Sequence, residues 1–322
     1  MKKGEKSLLI TNCLYMLIPG IILALPHLFR RALQTPYSAG YNFYVIFAEF
    51  AALVLPLLIY LLLPAGREVR GMLFVRRPKV SLLLILPLAY CSYLAINGLT
   101  ACWLGFLQLL GAGAPESNVP IPTSGKELVL SILLIAVVPA VCEEFFFRCA
   151  LLPKLSRHLP PWAAVILCGV LFGLIHGQLV ALPAHVLLGV LLALVAYWTR
   201  SVWYSLLWHL LQNGISLVFA FFSEDILQMA GEFSGEAETA AALMENPILM
   251  MFSGCVSFAI YGVLTAGLVV ALYFSTRSIR REMPLPAPQP SRPVCYLPYL
   301  PVAGAVLYMY ITSALQLFGG GV

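Results

Sequence analysis

An all-α bundle of about eight or nine transmembrane helices is the fold this sequence predicts. Three observations predict it. Of 322 residues, 61% are hydrophobic and only 10% are charged, whereas a soluble domain is about 45–50% apolar and about 25% charged. The apolar residues fall in runs long enough to cross a bilayer, which takes about 20 residues. Lys and Arg collect at the ends of those runs.

The runs read at roughly 7–29, 42–64, 81–110, 127–152, 162–177, 179–199, 202–222, 247–274 and 295–317. Before the first, Lys2, Lys3 and Lys6 resemble the start of a signal peptide. That run exceeds an h-region and lacks a small-residue cleavage site, so it is expected to be the first anchor. The fifth run is short and meets the sixth at His176-Gly177-Gln178, where one helix is expected to tilt or break. No soluble linker divides the chain and no internal repeat occurs, so residues 1–322 read as one integral membrane domain.

Charge orients the runs. With nine spans, Lys2, Lys3, Lys6, Arg67, Arg70, Arg76, Arg77, Lys79, Lys154, Arg157, Arg200, Arg277, Arg280, Arg281 and Arg292 all fall on one side. The other side takes Arg30, Arg31, Lys126 and the acidic loop of Glu224, Asp225, Glu232, Glu236, Glu238 and Glu245. The positive-inside rule then makes the N-terminus cytoplasmic, most simply in the cell membrane. The Pro-rich segment from Pro284 to Pro293 reads as a stiff cytoplasmic connector. Basic residues dispersed along membrane edges give no nucleic-acid footprint. Eight scattered cysteines form no CxxC pair, which argues against a zinc ribbon or redox motif.

An ionisable residue at a helix centre costs about 2.5–3.5 kcal/mol on insertion scales and marks a functional site by default. Three groups stand out. Glu144 and Arg148, at i and i+4, can pair on one helix face. Glu143, about 100° around the helix, stays free to face a cavity. His176 ends the run Phe172-Gly173-Leu174-Ile175-His176. His209 and Asn213 project together, again at i and i+4. Each taken singly has a structural reading: an ion pair between helices, a packed histidine, an interhelical carboxamide. Five such groups on three apolar helices are met most economically by a shared site. Counting from the helix ends warns that His209, Glu143 and His176 lie about seven, ten and fourteen residues deep, a spread of roughly 10 Å.

The inventory excludes some hydrolytic chemistries. Paired aspartates need two Asp, and Asp225 stands alone in a loop. No HExxH zinc motif occurs. Ser253-Gly254 lacks the preceding glycine of a rhomboid-type nucleophile, Met251 standing there. A Glu and His pair activating water, with a second His and an Asn holding the oxyanion, has all of its parts.

EExxxR at 143–148, FxxxH at 172–176 and HxxxN at 209–213, in this order, resemble the motifs of the CAAX protease and bacteriocin-processing (Abi) family. The likeness covers residues 125–220, with Gly189 and Trp203 to Leu207 similar to the family's linking region. It implies an intramembrane endopeptidase acting on a membrane-embedded peptide or protein, by trimming a CAAX tail or processing a bacteriocin or signal peptide. Glu143 and His176 would activate water, His209 and Asn213 would hold the oxyanion, and Glu144, Arg148 and Phe172 would support the site. Family members are also described as metalloproteases. Glu143, His176 and His209 supply a zinc stoichiometry of three ligands and an open position, although no obligatory metal is expected. The rivals are a non-catalytic immunity or regulatory protein on the same fold and a proton-coupled transporter. Glu49, mid-span with no obvious local partner, reads as a hydrogen-bonded structural carboxyl, with a place facing the cavity as the alternative. His185, nine residues after His176, reads as facing away from it unless the chain bends.

Overall fold

The computed structural model describes residues 1–63, 80–115, 120–223 and 246–319, the Lys3 side chain excepted. The basic stretch Arg67 to Lys79 and the acidic loop Glu224 to Glu245 lie outside the described residues, so the charge asymmetry is not tested on them.

Among the described residues the chain is all helix. Helix α1 spans Lys3–Leu28, α2 Ala39–Leu62, α3 Val80–Leu109, α4 Gly125–His158, α5 Pro161–Leu174, α6 Leu182–Thr199, α7 Val202–Phe221 and α8 Pro247–Ser275. A short α9, Arg277–Glu282, leads through the Pro-rich connector to α10, Tyr299–Gly319. Each of the nine runs coincides with a helix. Seven segments are long and apolar enough to cross a membrane: α1 to α4, α6, α8, and Pro293–Gly319, which includes α10. Helix α5 is apolar but short, and α7 carries His209, Gln212 and Asn213 among its apolar residues. The chain is therefore an integral membrane protein.

Proline shapes two of these helices. Helix α2 widens to a π-helix over Phe50–Val54, and α4 does so over Ile132–Val137 and Phe145–Leu151. Two residues after each π-stretch stands a proline: Pro56, Pro139 and Pro153. A proline inside a helix has no N–H to donate, and its ring crowds the carbonyl four residues back. Those carbonyls belong to Ala52, Ile135 and Cys149, each inside a π-stretch, and local widening relieves the clash.

Small residues let two helix pairs approach closely, as membrane helices do. In the pair α3 and α8, a Cβ on Gly98, Gly105 or Gly254 would lie 2.5–2.7 Å from the other helix's backbone. In the pair α5 and α6, a Cβ on Gly169 would meet Val190 N at 2.4 Å and one on Gly189 would meet Gly169 O at 2.6 Å. The turn joining α5 to α6 uses Gly177 at φ +64°, a left-handed conformation that glycine adopts at little cost.

Two apolar clusters fill the interior. One gathers Tyr15, Phe146, Phe147 and Phe172 from α1, α4 and α5; the other gathers Leu88, Leu188, Trp208 and Val269 from α3, α6, α7 and α8. Helix α6 joins them, giving Ala193 to the first and Leu192 to the second. Some buried polar side chains pair across helices, which in a bilayer stands in for water. Tyr15 donates to the Leu171 carbonyl at 2.7 Å, and Asn12 donates to the Cys295 carbonyl at 2.8 Å while accepting from Tyr299.

Helix α5 ends at Leu174 and α6 begins at Leu182, each three residues inside its expected run, and one further boundary bears on the site. Helix α4 continues to His158, not to 152. Its last turns carry Lys154, Arg157 and His158, whose basic ends suit a helix C-terminus at the membrane edge. Glu143 therefore lies about 15 residues from the end of α4, and His176 about as far from the start of α5 at Pro161. The depth mismatch between these two disappears.

Candidate active site

Four helices supply the site. Helix α4 ends an α-helical stretch at Glu143-Glu144 and enters its second π-stretch at Phe145. Both carboxylates are buried, with Glu144 fully inaccessible. Glu144 is held on two sides: Arg148 Nη1 stands 2.8 Å from its Oε1, and His209 Nδ1 reaches the same oxygen at 3.0 Å. Arg148 is itself fixed by its neighbours. Its Nη2 donates to the Gly189 carbonyl of α6 at 3.2 Å, and its guanidinium lies over the Phe172 ring, 4.5 Å from the centroid. The close α5–α6 packing brings that carbonyl and that ring to the arginine.

Glu143 faces the other way, between two imidazoles. His209 Nε2 lies 3.5 Å from its Oε2, and His176 Nε2 lies 3.9 Å from its Oε1. Glu143 Oε2 is buried without a hydrogen-bond partner. The histidines are oriented from behind. His176 Nδ1 contacts the Phe172 carbonyl at 3.0 Å, as His209 Nδ1 contacts Glu144. A carbonyl and a carboxylate only accept, so each Nδ1 carries a proton and each Nε2 is turned to Glu143. Phe172 sits between them, its ring 5.0 Å from His176 and 5.6 Å from His209.

Asn213 lies one turn beyond His209 on α7. Its amide is directed at the Ile135 carbonyl, at 3.5 Å. That carbonyl is the one Pro139 leaves without its helical donor, so Asn213 partly satisfies it. Glu143, Glu144, Arg148, Phe172, His176 and His209 are thus brought together, while Asn213, one turn from His209 on α7, is held at a carbonyl about two turns before Glu143 on α4.

Two residues come to the site that the sequence did not place there. His185 does not face away from His176. The chain turns at Gly177, α6 begins only at Leu182, and the two imidazoles stack with centroids 3.9 Å apart and planes 15° apart. The nine-residue count assumed one continuous helix, and the signal against it was Gly177 and Pro183. Glu49 is not tied to a hydrogen-bond partner at Oε2, and it lies within electrostatic reach of Glu143. Nothing local in α2 announces that, because the contact comes from packing of α2 against α4.

Glu143, His176 and His209 have donor chemistry suited to zinc, with both Nδ1 atoms anchored as metal-binding histidines usually are. Their spacing is another matter. Among the described residues, no group of three or more His, Cys, Asp or Glu side chains is arranged to hold a metal ion. The three side chains are neighbours that are not spaced as a ligand set.

Residues 125–215 match the family model described as Type II CAAX prenyl endopeptidase Rce1-like. The membrane-embedded CAAX protease MroQ of Staphylococcus aureus (strain USA300) is 23% identical over 113 residues, 33% of this chain and 46% of that protein. Both comparisons are likenesses to the CAAX protease and bacteriocin-processing family. The match thus spans about half of the MroQ length. No solved structure matches the chain. The residues that match the family model run from α4 into α7, the stretch of chain that carries Glu143, Glu144, Arg148, Phe172, His176, His185 and His209.

Proposed function

We propose that the chain is an intramembrane endopeptidase that hydrolyses a peptide bond of a membrane-associated, CAAX-type substrate with water activated by glutamate and histidine. The observation that carries this reading is Glu143 buried between two Nε2 atoms at 3.5 and 3.9 Å. In a neutral His176 imidazole Nε2 accepts, as does the carboxylate, whereas His209, paired with Glu144 through Nδ1, donates from Nε2 as the imidazolium. A water donating one O–H to Glu143 and the other to His176 Nε2 satisfies both acceptors.

Glu143 takes a proton from that water as its oxygen attacks the scissile carbonyl carbon. Negative charge passes to the carbonyl oxygen. The His209 imidazole, held by Glu144 as a base is held by its orienting acid, and the Asn213 amide, swung from Ile135, are the donors for it. Collapse of the tetrahedral intermediate breaks the C–N bond, and Glu143 returns its proton to the leaving amine. Phe172 and Arg148 keep the two imidazoles and Glu144 in place. The Arg148–Glu144 pair also keeps a second negative charge from standing unneutralised beside the base. On this reading the site opens to a substrate in the bilayer of the cell membrane, with the N-terminus and the Pro-rich connector cytoplasmic.

The test uses the full chain in liposomes with a prenylated CAAX peptide and a library of membrane-anchored peptides. Glu143→Gln keeps shape and hydrogen bonding and removes the base. Its expected rate is lower by about 10²-fold or more at unchanged protein level. Equal cleavage by wild type and variant overturns the assignment of the base. A wild type that cleaves neither the peptide nor the library, yet folds, overturns the protease reading.

A further inference from the structure

A cavity of about 250 Å³ lies away from Glu143, on the far side of Arg148. The end of α4, the end of α6, the start of α7 and the connector segment Met283–Pro286 enclose it. We propose that this cavity binds the phosphate-bearing headgroup of an anionic membrane lipid.

Charge is the first reason. Arg148, Arg157 and Arg200 line the cavity with the hydroxyls of Ser156 and Ser201, and no carboxylate lines it among the described residues. Guanidinium groups suit phosphate oxygens, to which they donate in pairs. Arg148 is 4% exposed, and its Nε has no hydrogen-bond partner although its two other nitrogens are committed to Glu144 and Gly189.

Arg200 is the second. It caps α6 at φ +54°, a left-handed conformation that costs a side-chain-bearing residue and that glycine takes freely. Its guanidinium stacks on Tyr197, 4.5 Å from the ring centroid, and donates to the Tyr197 carbonyl. Its Nε has no partner. Burial first, and the nearby Arg280 cation as well, hold its pKa below the ordinary arginine value. An anion in the cavity relieves both penalties.

Place and size select the ligand. The cavity sits where α4 and α6 end, at the edge of the bilayer, the depth of lipid headgroups and of the basic pockets that hold them. Beyond the arginines its walls are apolar, with Leu152, Val202 and Leu285 among them, and suit the glycerol and first methylenes of a lipid. Drug-sized ligands occupy about 300–1,000 Å³, so this volume fits a headgroup better than a peptide segment. The site does not depend on the proteolytic reading, although Arg148 touches both.

The experiment places the full chain in phosphatidylcholine nanodiscs and titrates phosphatidylglycerol, with retained lipid read by native mass spectrometry. Arg200→Gly is the informative variant, because glycine is at ease at that φ and the fold gains nothing to lose. Wild type should retain phosphatidylglycerol over phosphatidylcholine, and Arg200→Gly should weaken that retention about five- to tenfold, roughly the effect of one arginine at a membrane surface. Arg30→Gln, far from the cavity, should leave it unchanged. Equal retention by wild type and Arg200→Gly overturns the proposal. So does displacement of the lipid by inorganic phosphate at matched concentration, which would make the site one for a soluble anion, or by a peptide carboxylate, which would make it part of a substrate path.

Discussion

The α3–α8 and α5–α6 pairs use one packing device to different ends. Both pairs close on glycines whose Cβ would come within 2.4–2.7 Å of a facing helix. Between α3 and α8, the nearest groups to those glycines are backbone atoms, Ser257 and Met251. Between α5 and α6 the approach brings the Gly189 carbonyl to Arg148 and leaves Phe172 against His176, His209 and the guanidinium. The first pair shows that close packing alone does not mark a site. The second shows what does: a backbone group and a ring delivered to a buried ion pair.

The comparison can be broken most decisively at the ion pair. Arg148→Ala leaves Glu144 buried without its guanidinium, beside His209 and Ser205, and removing one partner of a buried pair costs about 3–5 kcal/mol. Yield and thermal stability in detergent should both fall sharply, with cleavage lost. A stable Arg148→Ala protein would mean that the arginine is dispensable to the fold and that the α5–α6 approach serves something else.

Glycine substitutions sharpen it. Gly189→Ala places a methyl 2.6 Å from Gly169 O and 2.8 Å from Phe172 Cδ1; Gly254→Ala places one 2.5 Å from Cys102 N. Each should cost about 1–3 kcal/mol by overpacking. Cleavage per folded molecule should drop only for Gly189→Ala, since Phe172 there must move against both histidines. Equal specific activities would erase the distinction between the two pairs.

The smallest expected effect is at the stacked imidazoles. His185→Ala removes a ring from His176, worth about 0.5–1.5 kcal/mol for an aromatic pair. Turnover should fall by up to about tenfold, and His185→Phe, which keeps a ring, should restore most of it. A null result for both would make His185 a packing residue of the α5–α6 turn.

Much of this was legible because membrane helices advertise themselves. Each of the nine apolar runs coincides with a helix, and Glu144 with Arg148 could be paired from an i, i+4 spacing alone. That Glu143, His176 and His209 would meet followed from the expense of leaving each in lipid without a partner. What escaped the sequence was whatever depends on where the chain turns. The end of α4 was set too early because Lys154 and Arg157 look like water-phase residues, although their stems belong to the helix. The side of His185 stayed open because it turns on the bend that Gly177 and Pro183 introduce into the helical count. Glu49 reaches Glu143 only through the packing of α2 on α4, which no local pattern in α2 encodes.

The π-stretch directly after Glu143-Glu144 sets the phase of everything downstream on α4. Each of its turns takes up more residues than an α-helical turn, so the helix leaves the stretch at a different rotational angle than an unbroken α-helix would give. The length of Phe145–Leu151 is therefore a gear setting. Removing one residue there would turn Leu152–His158 by about 100° against α5. Glu143 would still look towards the histidines, while Lys154 and Leu155, both buried, would be turned out of their places. Point substitutions that change side chains in this stretch should be tolerated far better than a single deletion that changes none of the named groups.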